Sequence, residues 1–258
     1  GLAWHGYHGG LVDSLEVHDL AIRTAKGWRS PVWDTQPAER VVMNNVGLLP
    51  DLTPGAGYDG MKWGFKIADG TDVLIIQDWG SFTNVMEAYI VGNDISGGNR
   101  TGFQFRTPGF DGFQHPTGPL LIEGNKCNEY GWEWGFMNGG SAITVWESRG
   151  PLVIRDNEVV KPKYGACKVT HQPADQKPWT VSEEGHCHED VILENNHFDS
   201  TGGDRGNCGV SSALKARIRG NTLKGNDWDL TIDGATAGKW GAPPCKAVTV
   251  EGDHRVMS

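Results

Sequence analysis

Helical patterning is almost missing from this chain of 258 residues. No stretch repeats apolar residues at helical period over several turns, apart from a short turn expected near Ser211 to Ala216. That removes helical bundles and alternating α/β architectures. A run of about eighteen apolar residues is lacking too, so the expectation is no membrane span. Positive charge is in deficit, with 23 Lys and Arg against 32 Asp and Glu for a net of −9. Such a balance argues against nucleic-acid binding, though it leaves room for a local basic groove. The five cysteines show no CxxC spacing, which sets aside the common zinc and thiol-redox motifs. No secretory leader is visible, because the chain opens on Gly1-Leu-Ala-Trp4, already strand-like. The expectation is that a signal peptide or a polar N-terminal cap has been removed.

Glycine is abundant, at 37 residues, as many tight turns require. One short pattern also recurs. It appears in Ala88-Tyr-Ile-Val-Gly-Asn93, Leu120-Leu-Ile-Glu-Gly-Asn125, Leu152-Val-Ile-Arg-Asp-Asn157, Val191-Ile-Leu-Glu-Asn-Asn196 and Ala216-Arg-Ile-Arg-Gly-Asn221. Apolar residues stand five and three positions before each asparagine, and another stands two positions after it: Ile95, Cys127, Val159, Phe198 or Leu223. The residues between are often charged, as at Glu123, Arg155, Glu194, Arg217 and Arg219. This is strand alternation with a turn at a fixed place. The asparagines are spaced by 32, 32, 39 and 25 residues, a period with insertions that marks a repeat architecture. Asparagine suits the turn because it tolerates the left-handed conformation and its amide can both donate and accept, so stacked copies can form a ladder.

This apolar-x-apolar-x-x-Asn pattern resembles the right-handed parallel β-helix of the pectate-lyase-like superfamily. The resemblance extends from about Leu11 to Val250 and implies an all-β, single-stranded right-handed parallel β-helix with Asn-containing turns and loop insertions. Residues 1–258 are then one β-helix domain. Earlier layers are expected at Trp4 to Ile22, at Pro31 to Val46, and at Lys62–Ile67 with Val73–Asp78, where Asp78 takes the asparagine place. Insertions are expected at Pro108 to Gly118 and Gln172 to Glu189.

A second family of strands precedes each ladder strand: Gly64–Ile67, Gly102–Arg106, Gly135–Asn138, Gly165–Val169, Gly209–Ser212 and Asp229–Asp233. Alternation places Phe65, Ile67, Phe103, Phe105, Phe136, Val169, Val210, Leu230 and Ile232 inside. Outside it places Lys66, Gln104, Arg106, Met137, Lys168, Thr170, Ser211, Thr231 and Asp233.

The resemblance implies a secreted or cell-surface enzyme that cleaves an acidic, uronate-containing polysaccharide by β-elimination. Such chemistry needs a base and positive charge against the substrate carboxylate. Lys66, Arg106 and Lys168 on nearby layers, with His171 just beyond, are the candidate catalytic residues. Gln104, Trp132, Trp134 and Trp146 are candidate sugar contacts, since aromatic rings stack on the apolar faces of sugars. Asp69 and Asp233 are the candidate ligands for calcium, the cation many such lyases use. Solvated strand faces and loop anchors are the plainer explanations of the same residues. Two other functions stay open, an inverting glycoside hydrolase around Glu129, Glu133 and Glu147, and a non-catalytic carbohydrate-binding tailspike or adhesin module. The outward residues are mixed and charged, which favours a monomer over a trimeric fibre. Cys127 should be a buried thiol. Cys187 and Cys208 either pair in an oxidising compartment or stay free. His186 and His188 share a strand face but lie in an insertion and match no zinc spacing.

Overall fold

The computed structural model describes residues 2–5, 12–23, 33–36, 38–49, 58–59, 62–66, 72–74, 78–83, 85–94, 101–106, 119–128, 141–146, 148–162, 165–170, 188–201, 207–233 and 244–257. Among these the molecule is all-β, without a helix. Two large parallel sheets dominate. In the first, Leu2–His5, Trp33–Gln36, Asp78–Thr83, Thr101–Arg106, Ile143–Val145, Cys167–Val169, Cys208–Val210, Leu230–Ile232 and Val256–Met257 lie side by side in chain order. The second orders Val12–Arg23, Ala38–Leu49, Val85–Val91, Leu120–Glu123, Ser148–Arg155, His188–Glu194, Ala213–Arg219 and Ala247–Val250 in the same way. The chain thus alternates between the two sheets. A third parallel sheet, Glu158–Val160, His197–Asp199 and Thr222–Lys224, follows the asparagine turn.

The alternation read from the sequence sets which side is inside. Ala88, Ile90, Leu120, Ile122, Leu152, Ile154, Val191, Leu193, Ala216 and Ile218 are all buried. They share one core with Phe103, Phe105, Ile143, Val145, Val169, Val210 and Leu230 of the first sheet. Cys127, Val159, Phe198 and Leu223, two residues past the asparagines, close that core from the third side. Each fully buried Leu, Ile or Phe contributes about 1.5–3 kcal/mol. Ile232 is only partly buried against the core.

Buried asparagines tie the layers together. The side-chain amide of Asn93 donates to Oδ1 of Asn125 at 2.8 Å, Asn125 to Asn157 at 2.9 Å, Asn157 to Asn196 at 3.0 Å, and Asn196 to Asn221 at 2.9 Å. The second amide hydrogen reaches the carbonyl three places before the asparagine position of the preceding layer, as from Asn125 to Ile90 and Asn157 to Ile122, both at 2.9 Å. Each Oδ1 also accepts the backbone N–H of the preceding asparagine, at 2.9–3.1 Å along the series. The donors that burial would otherwise strand are therefore satisfied, which is why a polar residue is tolerated at full burial. The left-handed residue is not the asparagine but its predecessor: Gly92, Gly124, Asp156, Asn195 and Gly220 all have φ between 54° and 65°.

Several expectations are corrected. Lys62–Lys66 is not a layer of the parallel sheets. It pairs antiparallel with Asp72–Leu74 and with Tyr58–Asp59 in a separate small sheet. Asp78 opens a strand of the first sheet beside Thr101 and does not take an asparagine place. The strand between Thr101–Arg106 and Cys167–Val169 is Ile143–Val145, not Gly135–Asn138. No helical turn forms at Ser211 to Ala216, where Ser212 at φ 55° leads straight into a strand. His188 and Glu189 belong to a strand of the second sheet and not to an insertion. Cys208 is a free thiol beside Cys167 in register, and Cys187 lies outside the described residues. The hydrogen bond between Cys167 and Cys208, with burial, pushes the Cys167 thiol up. Burial likewise raises Cys127, so both are inert core thiols.

The final layer is locked by charge. Arg255 donates to the Asp229 carboxylate at 2.7 Å and to the Gly225 carbonyl at 2.7 Å. Burial alone would raise Asp229, yet the guanidinium and the amides of Arg255 and Gly225 outweigh it and hold the group at about 2.

Candidate functional site

Register on the first sheet aligns Asp34, Ser81, Gln104, Thr144, Lys168, Gly209 and Thr231 in one row. In the described part of the row Thr144 is buried, while Lys168, Gly209 and Thr231, which alternate with the core residues, are half-buried. A second row runs one step beyond the strand ends. Arg106 lies next to Trp146, whose N–H donates to the Phe105 carbonyl at 3.0 Å. Thr170, Ser211 and Asp233 continue that row, each N–H bonding to the layer before at 2.9–3.0 Å.

Where the two rows meet, the Lys168 ammonium stands 5.8 Å from the centre of the Trp146 ring. That is a cation–π distance, and it orients a cation on the outer face. Trp146 is nearly covered while Lys168 is half-buried. Beside Lys168 the face is bare at Gly209, where an added Cβ would meet no atom within 4 Å. Other glycines explain themselves. Gly92, Gly124, Gly220 and Gly252 have left-handed φ, and a Cβ on Gly225 would collide with the Trp228 carbonyl. Gly209 has neither reason, and glycine inside a strand costs stability.

The surrounding polar groups are bonded internally. Ser211 donates to the Thr170 hydroxyl at 3.0 Å, and both are buried. His188 is fully buried, with Nε2 3.0 Å from the Thr170 carbonyl and Nδ1 3.0 Å from the Ser148 hydroxyl. The carbonyl can only accept, so Nε2 carries a proton, and in the neutral ring Nδ1 accepts from Ser148. This serine–histidine pair is sealed from solvent and joins the second sheet to the edge of the first. Asp233 accepts the Ser212 N–H at 3.1 Å and the Cys245 N–H at 2.6 Å, one on each oxygen. Burial pushes the adjacent Cys245 thiol up to about 12.

Of the residues singled out in the sequence, Gln104, Arg106, Trp146, Lys168 and Asp233 fall on these two rows. Lys66 does not join them, because its strand pairs opposite Asp72 in the separate antiparallel sheet. Asp69, Trp132, Trp134 and His171 lie outside the described residues, as do Glu129, Glu133 and Glu147. Among the described residues no group of three or more His, Cys, Asp or Glu assembles for a metal. Sequence reasoning passed over Gly209 as a site position and Thr144 altogether. The signal for Gly209 was a glycine in mid-strand without a turn to justify it. No protein-family model, no curated protein and no solved structure matches the chain.

Proposed function

We propose that the chain is a right-handed parallel β-helix of the secreted or cell-surface kind, which binds an acidic, uronate-containing polysaccharide on the outer face of the first sheet and cleaves it by β-elimination. The observation that carries the reading is the Lys168 cation held over Trp146 beside the bare Gly209. A sugar ring can lie against the half-buried backbone at Gly209 while its carboxylate meets the ammonium. Elimination removes the proton next to that carboxylate and expels the 4-linked sugar, and charge growing on the carboxylate is what a fixed cation stabilises. Arg106, one residue past the Phe105–Val145 pair, is the second cationic candidate, and His171, which follows Thr170, is the proton carrier in this reading. The parallel strands laid in chain order within each sheet and the asparagine ladder support the β-helix assignment. Asp233 accepts one backbone N–H on each oxygen, and no step here depends on calcium.

A second reading is a non-catalytic carbohydrate-binding module. It is favoured by the commitment of Ser148, Thr170, His188, Ser211 and Asp233 to internal hydrogen bonds. Incubation with a panel of uronate polymers, with calcium or with chelator, separates the two. Rising ultraviolet absorbance from an unsaturated product supports elimination. New reducing ends without that absorbance would replace it with hydrolysis, and binding with neither product would favour the module.

A further inference from the structure

On the first sheet one inward column runs Phe103, Ile143, Cys167, Cys208 and Leu230, paired in register from strand to strand. All five are buried in the common core. Two cysteines therefore fill successive places in a column otherwise built of large apolar side chains. The companion column, Phe105, Val145, Val169, Val210 and Ile232, has no thiol.

Residues paired in register on parallel strands face the same side, so the two thiols enter the core next to each other. They share a hydrogen bond. Neighbouring strands lie about 4.8 Å apart, and disulfides span Cα separations of about 4.4–6.8 Å. Parallel side chains at that spacing set the Cβ atoms near the upper limit of about 4.5 Å for a disulfide, so closure asks for a slight approach. Both cysteines are the first residues of their strands, and each N–H makes a long backbone bond, 3.3 Å to the next layer, so the strand starts have room to shift. The other described cysteines stand elsewhere. Cys127 closes the third side of the core, and Sγ of Cys245 accepts the Ala213 N–H at 3.4 Å.

We propose that Cys167 and Cys208 form a disulfide that staples two successive layers when the chain folds in an oxidising environment, and that the stability of the protein follows its redox state. Closure is thiol–disulfide exchange with a small disulfide such as oxidised glutathione. The Cys167–Cys208 bond forms as the oxidant's S–S bond breaks, and two electrons and two protons pass from the cysteines to give two oxidant thiols. In the finished core both sulfurs are buried, so the exchange takes place while the layers are still assembling. The bond encloses the second-sheet strand His188–Glu194 and the third-sheet strand His197–Asp199, and so restrains a long loop of the unfolded chain. It is independent of what the outer face binds.

Peptide mapping without reduction tests this. The full chain is reduced in denaturant, refolded with reduced and oxidised glutathione, alkylated in denaturant and mapped by mass spectrometry. The same map is made of chain exported to the bacterial periplasm, which needs no refolding. One linked peptide pair, Cys167 with Cys208, is expected in protein with a β-sheet far-ultraviolet spectrum. Reductant should lower its thermal midpoint by about 5–10 °C and leave that of Cys208→Ala unchanged. Folded protein in which both cysteines are alkylated overturns the proposal. So does Cys208 joined to Cys187 or to any other cysteine, or a linked pair whose reduction leaves the midpoint unmoved.

Discussion

Two edges of the same repeat behave in opposite ways. At the turn after the second sheet, five successive layers carry the same residue, Asn93, Asn125, Asn157, Asn196 and Asn221, with nearly the same bonds each time. At the end of the first sheet the corresponding positions are all different: Arg106, Trp146, Thr170, Ser211 and Asp233. Uniformity marks the place where layers must stack on one another, because a buried amide is satisfied only by another amide in the next layer. Where no ladder has to be continued, each layer is free to carry a different group, and there the Trp146 ring meets the Lys168 cation of the adjacent row. The difference separates scaffold from candidate site without appeal to any relative.

Breaking the uniform edge should have the largest effect. Asn157→Leu removes the donors to Ile122 and Asn196 and the acceptor used by Asn125, leaving buried polar groups unpaired. The expected loss is roughly 3 kcal/mol, read as a lower urea midpoint. A change under about 1 kcal/mol would mean that the ladder is not what joins the layers.

A smaller effect comes from the charged lock on the last layer. Asp229 is held at about 2 when folded, against about 3.9 in an unfolded chain. Its folded value is the lower, so its contribution is complete above the unfolded value and is lost as pH falls toward the folded one. That contribution is about 2 kcal/mol. Denaturation midpoints near neutral pH and near pH 2 should therefore differ less for Asp229→Asn than for the wild type.

At the variable edge the sign itself is informative. Gly209→Val should raise stability by about 0.5–1 kcal/mol, since a strand glycine is replaced where nothing obstructs a side chain. The same change should weaken glycan binding by filling the gap beside Lys168. A variant that is more stable and binds as well as the wild type would remove Gly209 from the site.

Much of the uniform edge was legible in the sequence, because burial on one side enforces a period of two and a fixed asparagine. The inward residues from Ala88 to Ile218 followed directly. The variable edge was harder. Gly64–Lys66 and Gly102–Arg106 both open on glycine and phenylalanine, yet one belongs to an antiparallel hairpin and the other to the parallel sheet, since local alternation says nothing about which strand becomes the neighbour. Gly135–Asn138 was mistaken for the strand at Ile143–Val145 for the same reason. The left-handed residue was placed one position late, because asparagine and its predecessor both suit a turn and only the hydrogen bonds tell them apart. In the second sheet Ala88-Tyr-Ile90, Leu120-Leu-Ile122, Leu152-Val-Ile154 and Val191-Ile-Leu193 are continuous apolar runs, so there the place of the asparagine, not alternation, tells which residues face inward.

The most direct test of the central claim is affinity electrophoresis of the wild type and Lys168→Gln in gels containing a uronate polymer or a neutral glucan. The account predicts that the uronate gel retards the wild type, that the neutral gel does not, and that Lys168→Gln loses most of the retardation while remaining folded. Equal migration of the wild type in every gel, or equal retardation of the two proteins by the uronate polymer, would contradict it.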